Sequence, residues 1–245
     1  RSEVRLFKQW VRDHLKTATR GLGYEVGRWD HCDLGRRSKI LTDLGIDSIL
    51  DVGANCGQYA GETRLLGFSG QIHSFEPIPE MFAALQEKFK SDSSWRGHQF
   101  ALGDQDSTTF LKVSENQVSS SILAMAEVHE REAPESRYIR EIEIQVRRLD
   151  SVFADLGVGR TPLLKIDTQG FEKNVLVGAQ SSLAQIKALQ IELSLIPLYE
   201  GETLFAEMID FVGKMGFELW SLEPGFASPK TGRLLQVDGI FVRTT

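Results

Sequence analysis

What this sequence has little of narrows its reading first. It holds two cysteines in 245 residues, Cys32 and Cys56. That is too few for a disulfide framework, and they lack the clustered Cys or His spacing of a zinc site. A reducing compartment is the expectation, and with it a cytoplasmic protein. No apolar run approaches the roughly 18 residues of a membrane span, and the first residues are charged rather than those of a signal peptide. A basic excess is missing too: 34 acidic against 28 basic side chains leave a formal net charge of -6. Without a counterion-releasing surface for phosphates, nucleic acid is not the expected partner. No internal repeat or low-complexity linker interrupts the chain.

The composition that remains, 41% hydrophobic and 25% charged, suffices for one large α/β domain with additions. At the start, Val4, Phe7, Trp10, Val11 and Leu15 recur at helical spacing, with Arg1, Arg5, Lys8, Arg12 and Lys16 on the other side. This predicts an amphipathic helix, an ordinary surface helix with a solvated basic face or, alternatively, one that binds a membrane surface or a partner. Residues 1–45 are expected to form a helical extension packed on a main domain of 46–245.

From Ser48 onward, short apolar runs alternate with helical patterns, as in parallel βαβ units. Strands are predicted at Ser48–Val52, Ile72–Phe75 and Gln99–Leu102, and helices at Tyr59–Leu66 and from Pro79 onward. Further strands are predicted at Thr109–Lys112 and around Ile142, Ile144 and Val146. Between these, Glu127–Glu141 is dense in mixed charge and broken by Pro134, a lid or a plain surface segment. Leu163–Ile166 and Leu189–Leu193 read as buried central strands joined by a helix from Phe171 to about Leu183. The chain is then expected to end in a helix over Thr203–Met215 and an antiparallel strand pair, Phe217–Leu222 and Val237–Val242.

The sharpest feature is the apolar strand that runs into Asp51-Val52-Gly53-Ala54-Asn55-Cys56-Gly57 before a helix containing Tyr59. In open α/β sheets, ligands bind beyond the carboxyl ends of the strands, and glycine lets them approach the backbone. The second strand ends in Phe75-Glu76-Pro77, where an acidic side chain can accept both hydrogens of a ribose diol. A dinucleotide fingerprint starting at Gly53 needs glycine at Asn55 and Gln58, and has neither. The departure favours a nucleoside ligand without a diphosphate, such as S-adenosylmethionine. Its ammonium could meet Asp51, its carboxylate the N–H groups of the 53–57 loop, its ribose Glu76, and its adenine the Ala101-Leu102-Gly103-Asp104 turn.

These motifs, with Ser119-Ser120-Ser121 and Lys165-Ile166-Asp167-Thr168-Gln169-Gly170-Phe171-Glu172, resemble the FkbM-type methyltransferases from about Ser48 to the C-terminus. The last motif is the most specific. The resemblance implies a Rossmann-like class I methyltransferase fold, with a seven-stranded, mostly parallel sheet, an antiparallel last strand and helices on both faces. It also implies O-methylation of sugars, polyketides or related natural products.

Methyl transfer from a sulfonium needs chiefly that the acceptor be positioned behind the methyl carbon, with a base for the hydroxyl proton. Asp167 and Glu192, at the ends of central strands, are the candidates, and either could help hold Mg2+. Glu192 could equally be a structural carboxylate. The histidines, His14, His31, His73, His98 and His129, offer no clear base, though His129 on a lid could reach substrate. The serine run could contact substrate or cofactor, or be a plain loop. The expected activity is O-methylation of a saccharide or glycosylated small molecule, and N-methylation is the alternative. A nicotinamide oxidoreductase would share the fold and Glu76 but lacks the glycine pattern and a Tyr-x-x-x-Lys pair. A noncatalytic cofactor-binding module and a homodimeric assembly both stay open.

Overall fold

A computed structural model of the chain describes residues 32–244, together with residues 7, 9–11, 14, 19 and 29. The amphipathic helix expected over residues 4–15 therefore lies largely outside the described residues. The chain divides into two compact units, Arg1–Ile40 and Leu41–Thr245. A helix α1, Asp33–Asp43, spans the division.

The sheet of the second unit explains why its strands look as they do in sequence. Seven strands run in the order β3-β2-β1-β7-β8-β10-β9: β1 Ser48–Val52, β2 Gln71–Phe75, β3 Trp95–His98, β7 Pro162–Ile166, β8 Ala188–Ser194, β9 Phe217–Pro224 and β10 Gln236–Arg243. The pairs β3–β2, β2–β1, β1–β7 and β7–β8 are parallel, and β10 is antiparallel to both of its neighbours. Central strands covered on both faces become continuous apolar runs, and every residue of β1 and β7 is buried.

Helices α2 (Gln58–Leu65), α3 (Pro79–Phe89), α5 (Leu149–Leu156), α6 (Glu172–Val177) and α7 (Phe205–Lys214) flank this sheet. Pro79 stands in the first turn of α3, where its missing N–H costs nothing. Phe82, Leu85 and Phe89 of α3 recur on one stripe and pack with Ile49, Ile72 and Trp95 in one core cluster. A second cluster gathers Leu164, Ile166, Leu189 and Ile191 with Val175 and Leu176 of α6 and Met208 and Val212 of α7.

A smaller sheet, β4-β6-β5, is built from β4 Ala101–Leu102, β5 Ser107–Ser114 and β6 Tyr138–Arg147. Between β5 and β6 lie α4, Glu127–Glu132, and a short turn of 3₁₀ helix. Three expectations are corrected here. The third strand of the main sheet is Trp95–His98 rather than Gln99–Leu102, whose end joins the small sheet instead. The helix after Phe171 stops at Val177. Residues 138–141, read as the end of a surface segment, already belong to β6.

Candidate active site

The carboxyl ends of β1, β2, β7 and β8 carry almost every residue singled out in the sequence. The turn after β1 is drawn tight against the turn after β7. Asp167 N–H donates to Val52 O at 3.1 Å, and a Cβ on Gly53 would lie 1.8 Å from the Asp167 carbonyl oxygen. Gly53 also has φ 74, so both space and conformation require glycine there. Gly57 opens α2, its N–H bonded to Ala54 O at 2.8 Å and its carbonyl accepting Lys88 Nζ at 2.6 Å.

The loop between these glycines satisfies its own donors. Gly53 and Ala54 N–H donate to Phe75 O, Asn55 N–H to Glu76 Oε2, Cys56 N–H to Asn55 Oδ1 and Gly57 N–H to Ala54 O. The 53–57 amides expected to bind a carboxylate are therefore all engaged. Asp51, expected to meet an ammonium, is fully buried. It pairs with Lys165 Nζ at 3.2 Å and accepts from Ser74 Oγ at 3.3 Å. Tyr59 is likewise drawn inward, its hydroxyl donating to Gln190 at 3.0 Å.

Glu76, expected to hold a ribose, is bonded to the backbone at both carboxyl oxygens. Oε2 accepts Asn55 N–H and Oε1 accepts Ile78 N–H, each at 2.8 Å, which leaves a lone pair on each oxygen for a diol. Burial pushes its carboxyl up to about 7, against the pull of the two amides. At the adenine end, Leu102 is 1% exposed within the core, Gly103 N–H donates to Arg147 O at 3.0 Å, and Asp104 is half-buried. The residues present thus fit the nucleoside half of S-adenosylmethionine, through Glu76 and Asp104, better than its methionyl half.

Asp167 and Glu192 are brought together by a residue the sequence did not single out. Gln169 Nε2 donates to Asp167 Oδ1 and to Glu192 Oε2, both at 2.8 Å. Its Oε1 accepts the Tyr199 hydroxyl at 2.6 Å, and its backbone carbonyl accepts Ser121 Oγ at 2.7 Å. On the other side, Lys165 Nζ lies 3.5 Å from Asp167 Oδ2. Burial alone would pull the Lys165 ammonium down, but Asp167 and Asp51 outweigh it and hold it above its ordinary range. Burial, with Asp167, Glu172 and Asp238 adding like charge, raises half-buried Glu192 well above the ordinary carboxylate range.

Glu172 organises the turn itself. Its Oε1 accepts Thr168 N–H, Thr168 Oγ1 and Gly170 N–H at 2.8, 3.0 and 3.2 Å, and burial pushes its carboxyl up to about 7. Asp167 and Glu192, the two carboxylates that could have held Mg2+, join no group of three His, Cys, Asp or Glu suited to a metal among the described residues.

The serine run makes hydrogen bonds within the protein. Ser119 Oγ pairs with Ser136 Oγ at 2.9 Å, Ser120 Oγ bonds Gln117 O at 3.2 Å, and Ser121 ties to Gln169. Asn55 Nδ2 donates to Gln117 O at 3.0 Å, which links the loop after β1 to the one after β5. Asn55, Gln117 and Gln169 have φ of 49, 61 and 56, and they are the non-glycine residues of positive φ among those described. Such strain gathers where surrounding contacts overdetermine the backbone. His129 is 3% exposed, its ring edge-on to Tyr199 with centroids 5.1 Å apart, so it does not stand on an open lid.

Five parallel strands, a last strand inserted antiparallel and an acidic residue ending the second strand define a class I methyltransferase. The model of the methyltransferase FkbM domain matches residues 51–219, and the chain belongs to that family of S-adenosylmethionine-dependent enzymes. A 2-O-methyltransferase, NoeI, of Sinorhizobium fredii is 28% identical over 171 residues, covering 67% of this chain and 70% of that protein. The 31-O-demethyl-FK506 methyltransferase FkbM of Streptomyces tacrolimicus is 27% identical over 162 residues, 56% of this chain and 60% of that one. An rRNA methylase structure from Streptococcus thermophilus matches with a TM-score of 0.48 at 9% identity, over 91% of this chain and all of the other. Among the described residues, no helix is long and apolar enough to cross a membrane.

Proposed function

We propose that this methyltransferase acts on a hydroxyl oxygen of a sugar or glycosylated small molecule, with Asp167 as the base. The observation that carries the reading is the join of Asp167 to the loop after β1. Its carbonyl lies against Gly53 and its N–H on Val52 O, so anything held over Gly53 has the Asp167 side chain as a neighbour. That side chain is 37% exposed and keeps Oδ2 free of Gln169. S-adenosylmethionine, when bound, supplies an electrophilic methyl group. Asp167 would orient the attacking hydroxyl and accept its proton as the methyl carbon exchanges its bond to sulfur for one to that oxygen, the neutral thioether being the leaving group. Glu192, whose proton affinity burial and like charge raise, stands beside it across the Gln169 amide.

Glu76 is the ribose anchor in this reading, Asp104 the adenine contact, and Gly53, Asn55 and Gly57 give the loop its shape. An oxygen acceptor is supported by the 2-O specificity in one relative's name and the 31-O position in the other's. The test is a screen of methyl and p-nitrophenyl glycosides with methyl-labelled S-adenosylmethionine, with and without Mg2+. Label on a sugar oxygen in the absence of added metal is the expected result. Label on nitrogen of an aminoglycoside, with none on any hydroxyl, would move the assignment to N-methylation.

A further inference from the structure

Gln169 departs from what its position would ordinarily hold. It is 8% exposed, yet it has four hydrogen bonds to its side chain or carbonyl and a left-handed backbone that glycine, asparagine or aspartate adopts more readily. The amide orientation follows from charge. Turned over, Oε1 would face both Asp167 and Glu192, and neither Nε2 hydrogen would reach them. With Nε2 toward the carboxylates, Oε1 is left to Tyr199, whose hydroxyl donates to it at 2.6 Å.

Tyr199 is itself held. It is 1% exposed, its ring lies edge-on to His129, and its N–H donates to Glu202 Oε1 at 2.9 Å. Ser121 fixes the other end, accepting Leu123 N–H at 3.0 Å while it donates to Gln169 O at 2.7 Å. Three chain segments far apart in sequence therefore converge on one residue. Neither Tyr199 nor Ser121 bonds Asp167 or Glu192 directly.

We propose that Gln169 is the positioning residue of the acceptor-side carboxylates, its side-chain amide locked by Tyr199 and its backbone carbonyl by Ser121 so that Asp167 and Glu192 keep one geometry. The lock gives the left-handed backbone at 169 a purpose. A residue of ordinary conformation there would carry its side chain elsewhere, and both carboxylates would be free to rotate toward Lys165 or solvent. The groups that face the pair are Lys165 from β7, Glu172 at the start of α6, Asp238 from β10 and Tyr199. Of these, Tyr199 reaches the pair through Gln169. The proposal rests on the reading of Asp167 as the base.

Two variants test it with different risks to folding. Gln169→Asn tolerates positive φ but is one methylene too short to span both carboxylates. Tyr199→Phe removes only the hydroxyl. With selective 15N-glutamine labelling, the side-chain amide signal lost in Gln169→Asn is that of Gln169. In the parent protein both of its hydrogens are expected to exchange slowly, and in Tyr199→Phe at least about tenfold faster. In turnover of the best glycoside from the acceptor screen, Gln169→Asn should lower kcat by about 10- to 100-fold and Tyr199→Phe by about tenfold. S-adenosylhomocysteine should bind both within about twofold of the parent. The double variant should be no slower than Gln169→Asn alone, because Tyr199 acts through Gln169.

Fast exchange of the parent amide would overturn the lock. Additive losses in the double variant, or losses of cofactor affinity that parallel kcat, would reduce the two residues to packing. If no glycoside is methylated, the acceptor reading fails by itself, and the exchange measurement still decides whether the amide is locked.

Discussion

A carboxyl group that already accepts two backbone N–H bonds must keep an oxygen lone pair on each side to be of use to a ribose, and Glu76 does. Its raised titration, near 7 in the cofactor-free protein, has a consequence for binding. Hydroxyl donors favour the ionised form, so a ligand that donates to Glu76 binds best above pH 7 and loses up to about tenfold per unit below it. Calorimetric titration with S-adenosylhomocysteine at pH 5.5, 6.5 and 7.5 should show this trend. Glu76→Gln should weaken binding by about 10- to 100-fold, since a charge-assisted hydrogen bond is lost, and should flatten the pH dependence. A pH dependence that survives in Glu76→Gln would assign it to another group.

Candidate site residues were legible where type and position coincide. Glu76 ends a strand with no other acidic residue beside it, and Asp167 sits in the most specific motif. Asp51 and Tyr59 have the same kind of sequence signature but turn inward, Asp51 because Lys165 projects from the neighbouring strand toward it. That pairing depends on strand register, which an apolar run does not reveal. Gln169 and Tyr199 carried no signal: an amide within a turn and an aromatic after a proline are ordinary, and only their 2.6 Å contact makes them otherwise.

At the scale of elements, the strands that could be read were those with an apolar excess. β1, β7 and β8 are buried throughout or nearly so. β3, with the sequence WRGH, lies at the sheet's edge and has only Trp95 buried. The neighbouring Phe100, Ala101 and Leu102 are more apolar, which is why the pattern pointed four residues too far along. Those residues instead turn toward α6. A Cβ on Gly178, just past that helix, would lie 1.8 Å from Gly103 O. Gly178→Ala must therefore push the Gly103-Asp104 turn aside. The expected cost is about 1–3 kcal/mol in denaturant unfolding, with weaker binding of S-adenosylhomocysteine through the displaced Asp104. A variant that loses stability but binds the cofactor product normally would separate that turn from the adenine.

For the whole molecule, three buried groups pull the pH dependence of stability in opposite directions. His73 is 3% exposed and lowered to about 4 by burial, with His98 and Arg96 adding to it. Between 6.5 and 4 the unfolded chain binds a proton that the folded protein does not, so stability falls as the pH falls through that window. Glu76 and Glu172 are raised to about 7. Between 4.5 and 7 the folded protein holds protons that the unfolded chain releases, so their contribution is complete below 4.5 and lost as the pH rises to 7. Each shift amounts to about 3 kcal/mol at full extent. Burial raises Glu192, Asp51 and Glu202 as well and lowers His98 and His129, so raised carboxyls outnumber lowered histidines and the cofactor-free protein should gain stability as the pH falls from 7 toward 5. Below that, His73 and the amide-bonded carboxylates of Asp47 and Asp150, held down despite some burial, turn the curve over. Glu172→Gln isolates one contributor, because Oε1 does all of the accepting in the 168–172 turn and an amide oxygen can replace it. Denaturant unfolding from pH 5 to 8 should show a slope smaller than that of the parent by the share of one proton, with stability at pH 5 nearly kept. An unchanged slope would mean that Glu172 gains no protons on folding. Because Glu76 must give up its proton to serve the ribose, the pH at which the empty protein is most stable lies below the pH at which it holds its cofactor best.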